Sequence, residues 1–502
     1  MSLEDTALPL ERDFDPTFAT KLALREKQIQ QNYRPLIGIH KWFARRPGTM
    51  FRSLLLAEFN GSESLSNSYW RSHSLTGVIA DPFMGGGTTI YEANRLGFSV
   101  IGTDVNPMAY WIVRQSLVEL DIAEFRSTAA QVITDVESAI GALYKTTCIE
   151  CGDSADVKYF LWVKTASCPT CFTTCDLFPG YLLAQAGRHP RHVVACAVCG
   201  ALNEFDSLPS EVNPGCCREC SSDVFMEGPA RRRSCECRGC GTAFPYPPKD
   251  AGPPKHRLWA IEYHCARCKA GHKGRFFKAP DKDDLNNFAE AERTLLSSPG
   301  LPIPDDDIPP GDETDRLLRW GYAKYRDMFN ARQLLSLGIL LNRLMEVETQ
   351  EIRHALLTVF SDFLRYQNML CRYDTMALKC QDIFSVHGFP VGLVQCENSV
   401  LGIDHVGSGA FRHFVEKFIR AKEYAISPFE TRATARAKSQ VPIVGESIRA
   451  QFVDCTPDGK GREALIKASP AQAIDLSEGL LDGVFTDPPY FDNVQYAELI
   501  DF

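Results

Sequence analysis

The sequence lacks any long apolar run: its most hydrophobic stretch, LLSLGILL, is far shorter than the roughly 20 residues that a membrane-spanning helix requires. Its N-terminus, MSLEDTALPLERDFD, is acidic and has no apolar core, which excludes a secretory signal peptide. The formal net charge of −9 argues against a surface that binds nucleic acid as a whole, although it does not bear on local patches. These absences predict a protein with no membrane partner.

Cysteine, by contrast, is abundant, with 19 in 502 residues. Without a secretion signal, so many cysteines indicate a reducing, cytoplasmic compartment, where paired thiols usually bind metal rather than form disulfides. Twelve of them form six CxxC pairs, which are Cys148/Cys151, Cys168/Cys171, Cys196/Cys199, Cys217/Cys220, Cys237/Cys240 and Cys265/Cys268. A CxxC turn places two thiolates on one side of a knuckle, and two knuckles complete a tetrahedron around Zn²⁺.

Joining each CxxC pair to the next along the chain predicts three zinc sites, since the first two couples have the roughly 15–20-residue separation of zinc ribbons. Four thiolates leave no open position, so these sites are expected to be structural. Glycine follows several pairs, as a turn with positive φ requires. Three cysteines in this region are left over, and they are Cys175, Cys216 and Cys235. Of these, Cys216 could replace its neighbour Cys217 as a ligand. The scattered Cys371, Cys380, Cys396 and Cys455 are expected to be buried small hydrophobes.

The stretch DPFMGGGTT follows an apolar strand, Val78 to Ala80, and opens an amphipathic helix. Glycines at this position let backbone approach a ligand closely, and the helix N-terminus offers unpaired N–H groups. About twenty residues on, Asp104 ends a second strand, where a carboxylate can accept hydrogen bonds from ribose hydroxyls. The pattern predicts a nucleoside cofactor; a tight β-α turn without ligand is the alternative. No Lys-Ser/Thr follows, so this is not a Walker loop.

The sequence ends on GVFTDPPYFDNVQYAELIDF, where two prolines separate an acid from an aromatic after an expected buried strand. Proline fixes φ and donates no N–H, so this peptide is rigid. A stiff loop suits two acceptors held at a fixed separation, whereas a surface Pro-Pro turn is the plain alternative.

These motifs resemble a known family. DPFMGGGTT with GTDVNP is similar to the S-adenosylmethionine loop of amino-methylating DNA methyltransferases, and TDPPY is similar to their catalytic motif. More closely, HKWFARRP, the cysteine-rich insert, MFNARQLLSL and TDPPYFDNVQYAEL together resemble adenine-specific DNA methylases that carry zinc ribbons. Members are large bacterial and archaeal proteins, some encoded beside restriction or phage-defence genes.

The resemblance implies S-adenosylmethionine as cofactor, double-stranded DNA as partner and N6 of adenine as the methylated atom. Asp487 and the Pro488 carbonyl would accept hydrogen bonds from the exocyclic amine, Pro489 would stiffen the loop, and Tyr490 would stack on a base turned out of the duplex. The expected cofactor-binding residues are Asp81, Pro82, Phe83, Gly85, Gly87, Asp104 and Asn106, together with His40 and Arg45 on a segment that closes over the methionine end. For that segment a solvated helix end is an equal alternative.

Residues 229–278 form a basic stretch with twelve Lys/Arg and three acids, interleaved with aromatic residues. Phosphate contact is the functional interpretation and a solubilising face the alternative. The residues expected to contact nucleic acid are Arg231, Arg232, Arg233, Lys273 and Arg275.

The expected fold is α/β, an incomplete Rossmann-like methyltransferase sheet split by a zinc-ribbon insert and a helical segment. The expected parts are a cofactor-closing segment (1–75), a cofactor-binding half (76–145), the zinc-ribbon insert (146–275), a Pro/Asp linker (276–312), a helical candidate recognition segment (313–435) and a catalytic half (436–502). Because relatives continue beyond the DPPY loop, we expect a C-terminal continuation or a partner chain, and little activity without it. Alternatives are an N4-cytosine or RNA amino-methyltransferase and an inactive zinc-ribbon DNA-binding subunit.

Overall fold

The structure, a computed structural model, describes residues 9–61, 63–248, 252–433, 438–490 and 494–502. The chain divides into two compact units built from separated stretches. Unit 1 comprises Met1–Ala129, Glu348–Asp362 and Val415–Ala497, and unit 2 comprises Ala130–Val347, Phe363–Phe414 and Glu498–Phe502. The glycine-loop and DPPY segments therefore belong to the same unit, whereas the helical segment expected at 313–435 is divided between the two.

The α-helices are distributed over the whole chain, and none in the described ranges is long and apolar enough to cross a membrane. Their bounds are α1 Pro9–Asp13, α2 Pro16–Tyr33, α3 Gly48–Phe59, α4 Leu65–Ser68, α5 Thr88–Leu96, α6 Pro107–Leu117, α7 Ile122–Ile140, α8 Lys282–Leu296, α9 Asp315–Arg319, α10 Ala331–Met345, α11 Gln350–Leu364, α12 Phe411–Ile426 and α13 Tyr496–Ile500. Short 3₁₀ turns lie at Pro35–Gly38, Gly141–Tyr144, His272–Gly274, Tyr325–Met328, Ile383–Ser385 and Ala471–Ala473.

The β-strands are concentrated between residues 145 and 278. Their bounds are β1 Val78–Asp81, β2 Ser99–Asp104, β3 Lys145–Thr147, β4 Ser154–Ser167, β5 Thr174–Asp176, β6 Leu182–Ala184, β7 His192–Ala195, β8 Leu202–Phe205, β9 Gly215–Cys216, β10 Asp223–Val224, β11 Ala230–Arg231, β12 Ser234–Glu236, β13 Ala243–Pro245, β14 Lys255–His264, β15 Arg275–Lys278, β16 Arg372–Asp374, β17 Lys379–Gln381, β18 Val394–Asn398, β19 Phe429–Ala433, β20 Lys438–Pro442, β21 Gln451–Phe452, β22 Glu463–Ala468 and β23 Gly483–Val484.

Unit 1 contains a five-stranded parallel sheet with the order β21-β22-β2-β1-β23. All four residues of β1 are buried, as expected for a parallel strand covered on both faces. In register, Val78 lies opposite Ser99 of β2, and Ile79 lies opposite Gly483 of β23. The chain thus runs from β1 to β2 on one side, and β23 returns to the other side of β1. The α/β character expected from the sequence is confirmed.

Several expected elements are found, and the burial expected of one strand is wrong. The strands expected from Val78 and before Asp104 are present, and the helical segment expected at 313–435 contains α9, α10, α11 and α12. Gly321, with a left-handed φ of +84°, lies between α9 and α10 and separates the two helices. The strand before the DPPY loop was expected to be buried, but Val484 is 54% exposed, since β23 stands at one end of the strand order.

The expected Pro/Asp linker at 276–312 lies inside unit 2 rather than between units. Part of it is regular structure, β15 and α8. The helix begins there because Asp281 accepts from the backbone N–H of Asp284, while the Asp284 side chain accepts from the N–H of Asp281. This reciprocal capping box supplies a start signal that the Pro/Asp composition hides.

In unit 2, β4 and β14 form a long antiparallel pair at the centre of a six-stranded sheet. The pairing runs from Lys255 opposite Thr165 to His264 opposite Asp156. Because the pair is antiparallel, the beginning of β4 lies beside the end of β14, and the end of β4 lies beside the beginning of β14. β15 continues the order beyond β14, and β18 lies on the other side of β4, with β3 and β5 also paired to β4.

The interior of unit 1 contains a cluster of fully buried charges. Arg34 and Arg95 both donate to Oε1 of Glu430, at 3.0 and 2.7 Å. Arg52 donates to both carboxylate oxygens of Glu446, at 2.9 and 3.0 Å. Arg34 directly follows α2, Arg52 and Arg95 lie in α3 and α5, and Glu430 lies in β19, so the cluster joins parts of unit 1 that are distant in sequence.

Two buried glutamates of this cluster have pKa values that are shifted in opposite directions. Burial alone would raise the pKa of Glu430, but three guanidinium groups outweigh it and hold that pKa at about 2. Burial raises the pKa of Glu92 to about 7, because Arg34 at 3.3 Å and Arg95 compensate it only in part. Glu92 therefore takes up or releases a proton near neutral pH.

The raised pKa of Glu92 predicts a pH dependence of stability. The unfolded glutamate ionises near its usual pKa of 4.5 and the folded one near 7, so wild-type stability should fall as pH rises through this window. Glu92→Gln should abolish this loss of stability with rising pH. At pH 8 the variant should be at least as stable as wild type, with a free energy of unfolding up to about 3 kcal/mol higher. Hydrogen exchange of α3 peptides at pH 5 and pH 8 measures the effect locally.

The matched control is Glu430→Gln, which removes a carboxylate whose pKa is lowered. Its stabilisation is present above pH 4.5 and lost as pH falls towards 2, so this variant should lose roughly 3–5 kcal/mol at pH 5 and at pH 8 alike. Equal destabilisation by both substitutions at pH 8 would contradict the assignment.

Candidate functional site

Two loops meet at the carboxyl edge of the parallel sheet in unit 1. The glycine loop, residues 82–87, follows β1, and the DPPY loop, residues 485–490, follows the adjacent β23. The strand order reverses between these two strands, and ligands of open α/β sheets bind at such a reversal. The sheet therefore places the two sequence motifs at one candidate site.

The glycine loop is shaped by left-handed backbone and by one carboxylate. Gly85 and Gly87 have φ of +46° and +80°, which disfavours any side chain there. The Gly85 N–H donates to Oδ2 of Asp104 at 2.9 Å, and the Asn106 N–H donates to Oδ1 at 2.9 Å. Each oxygen keeps another lone pair for a ligand hydroxyl. The Asn106 side chain itself caps α6 by accepting from the Met108 N–H at 2.9 Å.

A buried acid connects the two loops. The Thr486 hydroxyl donates to Oδ1 of Asp81 at 2.8 Å, and the Phe83 N–H donates to the same oxygen at 3.1 Å. Burial raises the pKa of Asp81 to about 6 even though these hydrogen bonds oppose the shift. Asp81 thereby links Thr486 of the DPPY loop to Phe83 of the glycine loop.

Both oxygens of Asp487 have partners. Oδ2 accepts from Nε of Arg46 at 2.8 Å, and Oδ1 accepts from the Tyr490 hydroxyl at 2.6 Å. The Arg46 guanidinium also lies 4.9 Å from the centre of the Tyr490 ring. The hydrogen bond to Asp487 raises the pKa of Arg46 above its usual value. Pro488, Pro489 and Tyr490 are exposed, so the loop presents its aromatic ring to solvent.

The N-terminal segment 40–47 contacts both loops. Trp42 packs so closely on the glycine loop that a Cβ at Gly85 would lie 3.0 Å from its Nε1. Arg45 donates to the Gly86 carbonyl at 2.9 Å, while the next residue, Arg46, holds Asp487. His40 instead hydrogen-bonds the Ser361 hydroxyl at 3.0 Å. Of the two residues expected from this segment, Arg45 contacts the glycine loop and His40 does not, while Arg46, which the sequence interpretation did not select, contacts Asp487.

The structure adds Val105 and Tyr496 to the residues selected from the sequence. Val105 directly follows Asp104 and is 73% exposed, and Phe83, which the sequence interpretation did select, is 42% exposed. Exposed apolar side chains near a carboxylate can contact an apolar ring. Tyr496 stacks on Trp42 with ring centres 4.6 Å apart, and its hydroxyl accepts from the Ala44 N–H at 3.0 Å. Val105 could have been selected from the sequence, because it directly follows the acidic Asp104. The Trp42–Tyr496 contact has no sequence signal that could have predicted it.

The twelve CxxC cysteines form three groups of four in unit 2, each able to hold a metal ion such as zinc. The groups are Cys148/Cys151/Cys265/Cys268, Cys168/Cys171/Cys237/Cys240 and Cys196/Cys199/Cys217/Cys220. Two sulfur–sulfur contacts between the pairs of each group measure 3.5–4.0 Å. A tetrahedron with Zn–S bonds of about 2.3 Å has edges of about 3.8 Å, so the spacing fits.

The expected count of three groups is confirmed, but the successive joining of pairs is wrong for two of them. Only the third and fourth pairs join as neighbours; the first joins the sixth, and the second joins the fifth. The antiparallel β4–β14 pair is the reason. Pairs one and two flank β4, pairs five and six flank β14, and each end of the strand pair brings one from each together.

Local geometry around the cysteines supports knuckle turns. The residue after the second cysteine has positive φ in five of the six pairs, at Gly152, Phe172, Gly200, Ser221 and Gly241. Hydrogen bonds from the Thr173 side chain and backbone lower the pKa of Cys171 to about 6. Cys217, not Cys216, belongs to its group.

The remaining cysteines lie outside these groups. Cys175 and Cys235 are buried. Of the scattered four, Cys371, Cys380 and Cys396 are buried as expected, whereas Cys455 is exposed, so that expectation is wrong for this residue. It lies in the turn region between β21 and β22 rather than in a packed element.

The basic stretch is only partly available to a partner. Arg231 pairs with Glu227, and its side chain is 57% exposed. Arg232 and Arg233 form the left-handed turn between β11 and β12 and are exposed. Arg275 lies 3.2 Å from Glu262 and donates to the Arg188 carbonyl at 3.2 Å, with its side chain only 21% exposed. Lys273 lies in another left-handed turn.

Comparison with known proteins found no match: no family model, no curated protein and no solved structure resembles the chain at a significant level. The functional assignment therefore depends on the two regions described above, the sheet edge in unit 1 and the cysteine groups in unit 2.

The nested joining of CxxC pairs is testable by metal content. Cys148→Ser with Cys268→Ser should lose one metal ion per chain, because both belong to one group. Cys148→Ser with Cys168→Ser should lose two, because each substitution breaks a different tetrahedron. Elemental analysis of the purified variants counts the ions. Loss of a single ion by the second double variant would restore successive joining and contradict the nested arrangement.

Proposed function

We propose that this protein is an S-adenosylmethionine-dependent methyltransferase that acts on an exocyclic amine of a nucleic-acid base, with N6 of adenine in double-stranded DNA as the target. The observation that carries the proposal is the meeting of the glycine loop and the DPPY loop on adjacent strands, at the reversal of strand order. A cofactor loop and an acceptor loop must face the same space for a group to pass between their ligands.

The residues around the glycine loop suit the cofactor. Asp104 offers acceptors for ribose hydroxyls, and exposed Phe83 and Val105 offer apolar surface for a purine ring. Gly85 and Gly87 leave backbone accessible where a side chain would not fit. When bound, S-adenosylmethionine supplies a methyl group activated by its sulfonium. The segment 40–47, which contacts both loops, is suited to exclude water from that space.

The DPPY loop suits an amine. Asp487 and the Pro488 carbonyl can accept the two amine hydrogens, which keeps the nitrogen lone pair directed away from the loop. Tyr490 is 52% exposed and offers a ring on which a base turned out of the duplex can stack. Because the Tyr490 hydroxyl and Arg46 occupy Asp487 in the structure, an entering amine has to displace the neutral hydroxyl contact while Arg46 still balances the charge.

The cysteine groups support a structural role for zinc rather than a catalytic one. Four thiolates complete the coordination of each ion and leave no position for substrate or water. The exposed arginines at 231–233 lie on a short hairpin that follows one cysteine group and precedes another. Contact of this hairpin with phosphates would give sequence-independent affinity for DNA.

Cofactor binding is the first test. Asp104→Ala and Gly85→Val should each weaken S-adenosylmethionine binding by roughly 10-fold or more, since the first removes the ribose acceptor and the second places a side chain in the loop. Isothermal titration calorimetry measures the affinity. Gly61→Val is the matched control, because Gly61 also has positive φ (+72°) but no neighbouring atom within 4 Å. Unchanged affinity in both site variants would remove the cofactor assignment.

Methyl transfer is the second test. Asp487→Ala should lower the rate by about 100–1000-fold while cofactor affinity persists, because a preorganised acceptor is lost from the target side only. Tyr490→Phe should be mild, and Tyr490→Ala should lose roughly 1–3 kcal/mol of base binding. Labelled methyl incorporation into plasmid DNA and into RNA, followed by nucleoside mass spectrometry, identifies substrate and atom. Asp475→Ala, an exposed acid upstream, is the control. Full activity of Asp487→Ala would refute the catalytic role.

A further inference from the structure

A fourth group of metal-ligating side chains lies in unit 2, apart from the CxxC cysteines. His189, Glu204 and His272 each offer one ligand atom, and these atoms lie within 4.8 Å of one another. Oε1 of Glu204 is 3.6 Å from Nε2 of His189 and 4.0 Å from Nε2 of His272. Two ligands about 2.0 Å from a tetrahedral zinc are about 3.3 Å apart, so a small inward movement would complete the site.

The contacts of Nδ1 of His189 determine whether Nε2, the nitrogen that faces Glu204, carries a proton. Nδ1 lies 2.9 Å from the Arg191 carbonyl, which can only accept, and 3.4 Å from the Arg191 N–H, so the shorter contact favours a proton on Nδ1. In the neutral ring Nε2 is then a bare lone pair, 3.6 Å from a carboxylate oxygen. Two acceptors facing each other at this distance repel, and a shared metal cation would remove the repulsion. A ring N–H donating to a backbone carbonyl is also the usual support of a metal-binding histidine.

The surroundings of this pair are buried and compact. His189 is 2% exposed, and the two imidazole rings are stacked, with centres 4.6 Å apart and an angle of 14° between planes. Stacking holds the two rings side by side, so that Nε2 of each lies near Oε1 of Glu204. Arg275 is held elsewhere, by Glu262 and the Arg188 carbonyl.

Three separate segments supply the three side chains. His189 lies between β6 and β7, Glu204 is in β8, and His272 begins the 3₁₀ turn before β15. His272 and the following Lys273 have φ of +47° and +54°, a rare conformation for residues with a Cβ. This turn brings the imidazole of His272 onto that of His189.

We propose that His189, Glu204 and His272 bind a fourth divalent metal ion, zinc by donor type, in a site with an open coordination position. Two imidazoles and one carboxylate are a hard-to-borderline donor set, unlike the four thiolates of the other groups. Three protein ligands leave room for water, and the partial exposure of Glu204 and His272 gives solvent access. The ion would join the module of Cys196–Cys220 to the turn that follows Cys268. The proposal is independent of methyl transfer.

Metal stoichiometry tests the site. Wild-type protein equilibrated with zinc should contain four ions per chain, and His189→Ala, His272→Ala and the isosteric Glu204→Gln should each contain three. His192→Ala, a nearby histidine outside the group, should still contain four. Calorimetric titration of zinc into protein stripped of its weaker ion should show one binding event, weakened at least about 10-fold in Glu204→Gln.

Cobalt substitution identifies the ligands. Thiolate-bound Co²⁺ gives strong sulfur-to-metal charge-transfer absorption, whereas the fourth equivalent should add only weak d–d bands, which vanish in the histidine variants. Three ions in wild type under excess zinc would overturn the proposal. A fourth ion retained by all three variants would equally overturn it, by showing adventitious binding elsewhere. If an alanine variant fails to fold, Glu204→Gln decides.

Discussion

The buried ion cluster of unit 1 is the constraint on which the candidate site depends. Arg52, on α3, is held by Glu446, and Arg34 and Arg95 share Glu430. Breaking a buried pair by removing one partner leaves an uncompensated charge, so these contacts hold their segments in one arrangement. Helix α3 begins immediately after segment 40–47. The cluster therefore fixes the base of the segment that contacts both the glycine loop and Asp487.

Much of the site was predictable because its signals are local. A glycine loop between strand and helix, an acid one strand later and a rigid Pro-Pro pair can all be identified in short windows of sequence. What could not be predicted depends on distant partners. Nothing local shows that Arg46 rather than Arg45 reaches Asp487, that Tyr496 stacks on Trp42, or that Asp81 and Thr486 bond across 405 positions. The burial expected for β23 was wrong for the same reason, since the exposure of a strand depends on which elements lie beside it.

The cysteine pairs show the same limit more sharply. Six pairs can be joined two by two in about fifteen ways, as with six cysteines in disulfides, and spacing alone favoured joining neighbours. The strand pair β4–β14 decides otherwise, and these strands, of fourteen and ten residues, are buried along most of their length. The His189–Glu204–His272 group escapes sequence analysis altogether, because its members are single residues on three segments with no repeated spacing.

Nesting also has a consequence for the order of assembly. The sulfur contacts bridge 24 residues in the innermost group, 72 in the middle group and 120 in the outermost. Closing a longer loop costs more entropy, about 0.6 kcal/mol for each doubling, and takes longer to occur by chance. Once an inner metal site has formed, the flexible chain that separates the two CxxC pairs of the next site is effectively shorter. Metal uptake should therefore proceed from the inside outwards, with each ion guiding the strands towards the register that the following ion requires.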